Sequence, residues 1–408
     1  MNSTINGPLH DLPMPAPGCP VRVVAARVNS SRGEDPSVRF VSGWGATIEE
    51  ASLGCRREAA ERFSAQFAGN EPIERGEIHR FKGAAVPPPE ILLIGDEQFA
   101  KRHLWNAVHP GFNELPEPWD GDRPIDWIAA DDEFSSAQKL LPAGLCFLGH
   151  DRDRGAGLVP ADSNGVAAGG SLADAVVRAF IELVERDAVA IWWYNRLARP
   201  LVDLKGVAEP LVGAFADWSA GRGRGFRLHD IAHDLGVPVF AAVTHDGEGG
   251  RIAIGFGAGM PAAQAARHAV GELAQFETNV ALMESRLAAT GKSPPAAEAR
   301  ALLAWWATAR LGEHPHLRGD GATATPNGTQ PLDLDRCRAL CRRMGFDLLA
   351  LNLTRPGVGI PVARVIVPGL RPMWARFAPG RLYDVPVRLG WRGAATSQAQ
   401  LNPTPLMF

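Results

Sequence analysis

The sequence is short of several things that would place it quickly. Of its 42 basic residues only five are lysine (Lys82, Lys101, Lys139, Lys205 and Lys292). Basic and acidic residues are interspersed along the whole chain, with a net charge of -3, so no basic face for nucleic acid is expected. No apolar run is long enough to span a bilayer, and the N-terminus lacks a basic stretch followed by an apolar one. The five cysteines (Cys19, Cys55, Cys146, Cys337 and Cys341) form no CxxC or Cys/His ligand spacing. A reduced, cytoplasmic protein outside the membrane is expected. Familiar catalytic signatures are missing too: there is no G-x-x-x-x-G-K-[ST] loop, no H-E-x-x-H and no G-x-S-x-G. The run IGFGAG (254–259) has the glycines of a phosphate loop but falls at the end of an expected hairpin.

What is present is a chain of 408 residues, 46% of them apolar, enough for a large buried core. Residues 1–20 are Pro-rich and read as extended or mobile, before strands in CPVRVVAARVN and SVRFVSGWG. A helix is expected from Thr47 to Phe67, with Thr47 as N-cap and Glu50 three residues on. Residues 70–160 read as short strands and loops. Helices follow over 172–195 and from Pro261 to Ala289, with a hairpin between them in GVPVFAAVTHDGEGGRIAIGFGAG. The Pro/Gly/His-rich stretch 291–330 reads as an exposed loop. A helix over 333–345 and two strands, in FDLLALNLT and PVARVIVPG, complete the pattern. Without a clean βαβ repeat, the expected class is α+β, a mixed sheet with packed helices.

The chemistry is concentrated on three helices. AFIELVERDAVAIWWYN is apolar around most of its circumference, yet Glu182, Glu185 and Arg186 share one stripe. Glu58, Glu61 and Arg62 repeat the E-x-x-E-R spacing, and Glu272 with Gln275 offers a third pair, near His268 and Asn279. Buried carboxylates need partners. Two readings are open. Each pair could belong to an internal ion-pair ladder, with Arg178 and Arg186 each four residues from Glu182. Or the helices converge to hold a hard divalent cation, and Mg2+ shares such ligands with phosphates. Three such helices in one chain favour the second.

These motifs resemble the YcaO family, and within it the azoline-forming cyclodehydratases that modify ribosomally made peptides. The resemblance spans residues 38–408, with residues 1–37 as a separate N-terminal segment. It rests on SGWGATIEEA, EAAERFS, DSNGVAAG, ELVERDAVAIWWYNRL, ELAQ, PVARVIVPGL, GRLYDVPV and the closing LNPTPLMF, in that order. It implies an enzyme using ATP and Mg2+ to turn Cys, Ser or Thr of a precursor peptide into thiazolines or oxazolines. Glu58, Glu61, Glu182, Glu185 and Gln275 would be metal ligands. Arg62, Asn164, Arg186 and Glu272 would join them around the nucleotide. The tail residues Pro403, Pro405 and Phe408 would act at the active site, against the plainer reading of a frayed terminus. The implied partners are a separate leader-binding, ubiquitin-activating-like protein, a flavin-dependent dehydrogenase and a second copy of the chain. Two departures stand out: Gly54 where the family has Ser, and His268 where it has Arg, with Arg267 as a substitute. They leave room for a non-catalytic scaffold, and a different nucleophile would give a thioamide or amidine instead.

Overall fold

The computed structural model describes residues 5–28, 40–150, 157–158, 160–325, 328 and 330–406. The described residues form three sheets with helices packed on them. The first is antiparallel: β1 (Ile5–Asp11), β2 (Arg22–Val28) and β3 (Phe40–Gly45). The Pro-rich start thus supplies an edge strand, and the boundary expected at 37/38 falls outside the described residues. The second sheet runs in the order β4 (Ile73–Gly76), β5 (Ile125–Asp132), β13 (Leu349–Asn352), β14 (Val362–Ile366) and β7 (Val166–Ala168), with β6 (Gln138–Pro142) also paired to β5. The third contains β11 (Ala253–Ala258), β10 (Val239–His245), β9 (Gly225–Asp230), β8 (Leu201–Val202) and β12 (Thr323–Ala324). Most pairings are antiparallel, and the class is α+β as expected.

Helix α1 (Ile48–Ser64) begins where Thr47 accepts the Glu50 N–H at 3.2 Å, while the Glu50 carboxylate takes the Ala46 N–H at 2.8 Å. It packs on β2, β3 and β7. Helix α2 (Leu172–Tyr194) is capped by Ser171 and lies between the second and third sheets, touching β7, β14, β10 and β11. That placement explains its nearly all-round apolar surface. Beyond α3 (Pro210–Gly221), the long helix α4 (Ala262–Thr290) covers β10 and β11 and reaches β3.

The glycines of IGFGAG serve this packing and not a phosphate. A Cβ on Gly255 would lie 2.1 Å from the Leu273 nitrogen, and one on Gly257 2.1 Å from the Ala265 oxygen. Backbone of β11 and α4 meet there with no room for a side chain. Gly257→Ala should therefore cost about 1–3 kcal/mol by overpacking, read as a lowered denaturant midpoint.

One expectation needs correction. The stretch 291–330 is not simply an exposed loop: Ala297–Thr308 forms a helix (α5), and His314, His316 and Leu317 are buried. The rings of His314 and His316 pack against Trp193, so aromatic burial overrides the local turn composition. Two further helices, α6 (Leu334–Met344) and α7 (Arg381–Arg388), pack on α2. Cys337 and Cys341 are both buried on α6 as apolar packing groups.

Candidate active site

Helices α1, α2 and α4 meet around a cavity of about 730 Å³. Its walls include Glu58, Glu61, Glu182, Glu272, Gln275 and the guanidinium groups of Arg62 and Arg186. Sequence spacing alone could not show that the three acidic stripes face one another, and here they do. Each carboxylate is held in place by main chain. Glu58 accepts the Ser42 N–H at 3.1 Å, Glu61 the Ala168 N–H at 2.8 Å, Glu182 the Gly165 N–H at 3.2 Å and Glu272 the Phe256 N–H at 3.3 Å. The Gln275 amide donates to Ser42 Oγ at 3.0 Å, tying α4 to β3.

Both readings of the acidic stripes are partly realised. Arg62 lies 3.5 Å from Glu58, and Arg186 bridges Glu182 at 3.3 Å and Glu185 at 3.1 Å. Arg178, however, pairs with Asp174 and not with Glu182. Glu61 and Glu272 form no ion pair in the described structure.

The consequence is electrostatic. Burial, then hydrogen bonding offset by repulsion from Glu182 and Glu58, pushes the Glu61 carboxyl up to about 8. Burial and then repulsion from Glu185 push Glu272 up to about 8, and burial raises Glu58 and Glu182 as well. Glu61 and Glu272, buried with no ion pair among the described residues, fit a divalent metal, and Arg62 and Arg186 on the same wall fit a polyphosphate. Among the described residues, no three His, Cys, Asp or Glu side chains form a closed cage. A cation here would take carboxylate oxygens from the protein and the rest from phosphate or water, the usual habit of Mg2+.

Two expected site residues are placed elsewhere. Glu185 is not on the cavity wall; it turns inward to Arg186 and to the Ala258 main chain. Asn164 lines a separate, smaller cavity, because its amide is drawn to Asp162 at 2.7 Å while its neighbour Ser163 faces the large one. Both departures, Gly54 and His268, line the large cavity. A Cβ on Gly54 would meet Gly43 Cα at 3.4 Å, an ordinary contact, so space alone does not exclude serine. His268 lines the cavity edge-on to Trp44, 5.5 Å between ring centres. Burial, aided by Arg178 and Arg267, pushes it down to about 4 and leaves it neutral. Arg267 also lines the cavity but is held by Glu50 at 2.6 Å and Glu209 at 3.2 Å.

The tail is not frayed over its described part. Asn402 N–H donates to Tyr194 O at 2.7 Å, and Trp193 Nε1 to Thr404 O at 2.8 Å. Pro403 is exposed and Pro405 buried, both beside the C-terminal end of α2 and roughly 16 Å along the helix axis from Glu182. Phe408 lies outside the described residues.

The sequence profile of the YcaO cyclodehydratases, ATP- and Mg2+-binding, matches residues 42–371. The chain belongs to the YcaO family. Its fold is similar to that of a heterocyclase solved in complex with substrate and cofactor, with a TM-score of 0.86 and 32% identity over 98% of this chain and 55% of that one. The heterocyclase TruD is similar at a TM-score of 0.74 and 32% identity, over 88% of this chain and 51% of TruD. This YcaO chain therefore spans about half the length of those heterocyclases. The YcaO protein of Methanopyrus kandleri, solved with AMPPCP and Mg2+, shares the fold at a TM-score of 0.62 and 21% identity, covering 90% of this chain and 87% of that one.

The raised carboxyls set a pH dependence for the protein without nucleotide. Above pH 6.5 the unfolded chain has already lost its carboxyl protons, whereas Glu61 and Glu272 keep theirs to about 8 and Glu185 to about 7. The native state then binds more protons than the unfolded one, so stability falls as pH rises through this window. Below 6.5 the buried histidines oppose this: burial pushes His229 and His268 down to about 4 and His316 to about 3, so their contribution is lost on acidification. Thermal melts should show stability declining from about pH 6.5 toward 8, a decline that Mg2+ and nucleotide flatten. A melting temperature rising steadily from pH 6.5 to 8 would contradict the assignment.

Proposed function

We propose that the chain is the ATP-dependent, azoline-forming component of a peptide-modifying system. The observation that supports this best is the convergence of Glu58, Glu61, Glu182 and Glu272 on one cavity beside Arg62 and Arg186. Mg2+ bound with ATP would neutralise the triphosphate and assist phosphoryl transfer, a reaction that depends mainly on positioning and electrostatics.

Glu58, Glu61, Glu182, Glu272 and Gln275 would hold the metal–nucleotide side. Glu185 would fix the Arg186 guanidinium from behind. Arg62 and Arg186 would orient the carboxylates and meet phosphate oxygens. On the peptide, a Cys, Ser or Thr side chain attacks the preceding carbonyl carbon. The resulting alkoxide takes the terminal phosphoryl group of ATP, and phosphate then leaves with that oxygen. Loss of the amide proton completes the C=N bond of the ring. The substrate in this reading is a ribosomal precursor peptide, delivered with a partner protein that binds its leader.

The test is incubation of the chain with such a peptide, partner, ATP and Mg2+. Each ring should lower the peptide mass by one water, with one phosphate released. A peptide gaining the mass difference between sulfur and oxygen would identify thioamide formation, and an unchanged mass would refute the proposal.

A further inference from the structure

The large cavity has two unlike ends. Glu50 of α1 pairs with Arg267 of α4, and Arg178 of α2 lies near His268, so the N-terminal parts of the three helices share one end. Arg62 and Arg186 follow Glu61 and Glu182 along their helices and stand toward the other. The carboxylates lie between. A nucleotide whose phosphates meet Arg62 and Arg186 directs its base to the N-terminal end, and there the wall carries rings.

Strand β3 sets out that end. A Cβ on Gly43 would lie 2.1 Å from the Cys55 nitrogen, and one on Gly45 2.4 Å from Glu50 Cβ, so both positions face α1. By alternation Ser42 and Trp44 point the other way. Ser42 marks the carboxylates, since its N–H reaches Glu58 and its hydroxyl accepts from Gln275. Trp44 stands two residues on, about 7 Å along the strand. His268 precedes Glu272 by one turn, about 6 Å along α4. Two separate elements thus bring a ring to the same offset from the metal side, and the rings meet at 78°. The indole rests on α4 where residue 271 is glycine; a Cβ there would lie 2.0 Å from it. One face of Trp44 is thereby seated, and the half-buried remainder borders the cavity. Arg267, 6.0 Å from the indole centre, is drawn off by Glu50 and Glu209.

We propose that Trp44 and His268 form the base platform of the nucleotide site, and that this platform takes purine nucleoside triphosphates as a class, guanine as readily as adenine. The inference deepens the ATP-dependent reading above and rests on it. Every base has a π-face, and stacking on an aromatic ring is tolerant of which base it is while favouring the larger one. Discrimination between purines needs a free group aimed at the base edge. Glu50 is engaged by the Ala46 N–H and Arg267, and Asp174 holds Arg178 at 3.1 Å and lies near Arg57. His268 remains. Burial, pushing it down to about 4, keeps its imidazole neutral, with one donor and one acceptor. Adenine and guanine each present a donor and an acceptor on one edge, so this ring serves both.

Calorimetry on the full chain with Mg2+ can compare the β,γ-methylene analogues of ATP, GTP, CTP and UTP with inorganic triphosphate. The two purine analogues should agree within about threefold, and the pyrimidine analogues should bind about tenfold more weakly. Trp44→Ala should weaken the purine analogues about tenfold or more and leave inorganic triphosphate unchanged, and Trp44→Phe should restore most of the loss. The ranking in the parent protein needs no variant: adenine favoured over guanine by more than about tenfold, or pyrimidines bound as tightly as purines, would overturn the assignment. A loss shared by inorganic triphosphate in both Trp44 variants would place the indole in the fold or the phosphate site and overturn it too. If neither nucleotide nor triphosphate binds, the nucleotide reading itself fails. If both bind and Trp44→Ala changes nothing, only the platform fails.

Discussion

Glu61→Gln should reduce ATP turnover on the order of a hundredfold or more while leaving the melting temperature near neutral pH unchanged. The two outcomes come from the same fact. Burial and neighbouring carboxylates push Glu61 up to about 8, so without a cation the group is largely protonated at pH 7. Glutamine resembles that neutral form and can still accept the Ala168 N–H now made at 2.8 Å. The folded protein therefore loses little. What glutamine lacks is a charge to offer a metal–nucleotide complex. Glu182→Gln should behave similarly in turnover, although it also removes the charge facing Arg186 at 3.3 Å. A Glu61→Gln protein with full turnover would return the stripe to the ion-pair reading.

Asp187→Ala should have the opposite profile, with a loss of about 3–5 kcal/mol in stability as the expected scale for a broken buried pair. Asp187 is fully buried on α2, one residue beyond Arg186. Burial alone would raise its carboxyl, but Arg381 and then His233 outweigh this and hold it well below the usual carboxylate range. Arg381 grips both oxygens, at 2.6 to 3.0 Å, and His233 Nε2 stands 2.9 Å away. The Arg371 N–H donates to the same carboxylate at 2.8 Å. Removing Asp187 leaves Arg381 with Asp234 alone and frees the segment around 371 that lines the smaller cavity. Chemical denaturation should show a lowered midpoint. A midpoint within experimental error of the parent would mean the network contributes nothing net.

The contrast between those variants shows what the sequence makes legible. Glu58, Glu61, Glu182, Glu272 and Gln275 could be found by helical spacing, because an acidic or amide pair at i, i+3 recurs on three helices. Glu185 shares that signature yet faces Arg186 from behind, and spacing cannot distinguish two sides of one guanidinium. Ser42, which holds Glu58 and Gln275 together, sits on a strand with no chemical signal of its own. The smaller cavity was illegible because Asp162, Arg364 and Trp374 meet only through the pairing of β14 with β7 and the chain that follows it. One clue was present: Arg364 interrupts the apolar run PVARVIVPG and is buried there. The failed expectation for 291–330 has a similar cause, since Trp192, Trp193 and Trp305 draw a histidine-bearing turn into the core.

The central claim is that ATP is spent on the oxygen of a peptide carbonyl. A precursor peptide carrying heavy oxygen in the carbonyl preceding its modified residue tests it directly, with the released phosphate analysed by mass spectrometry. The account predicts one heavy oxygen in phosphate for each ring formed. Heavy oxygen recovered in water, or rings formed with unlabelled phosphate, would contradict it.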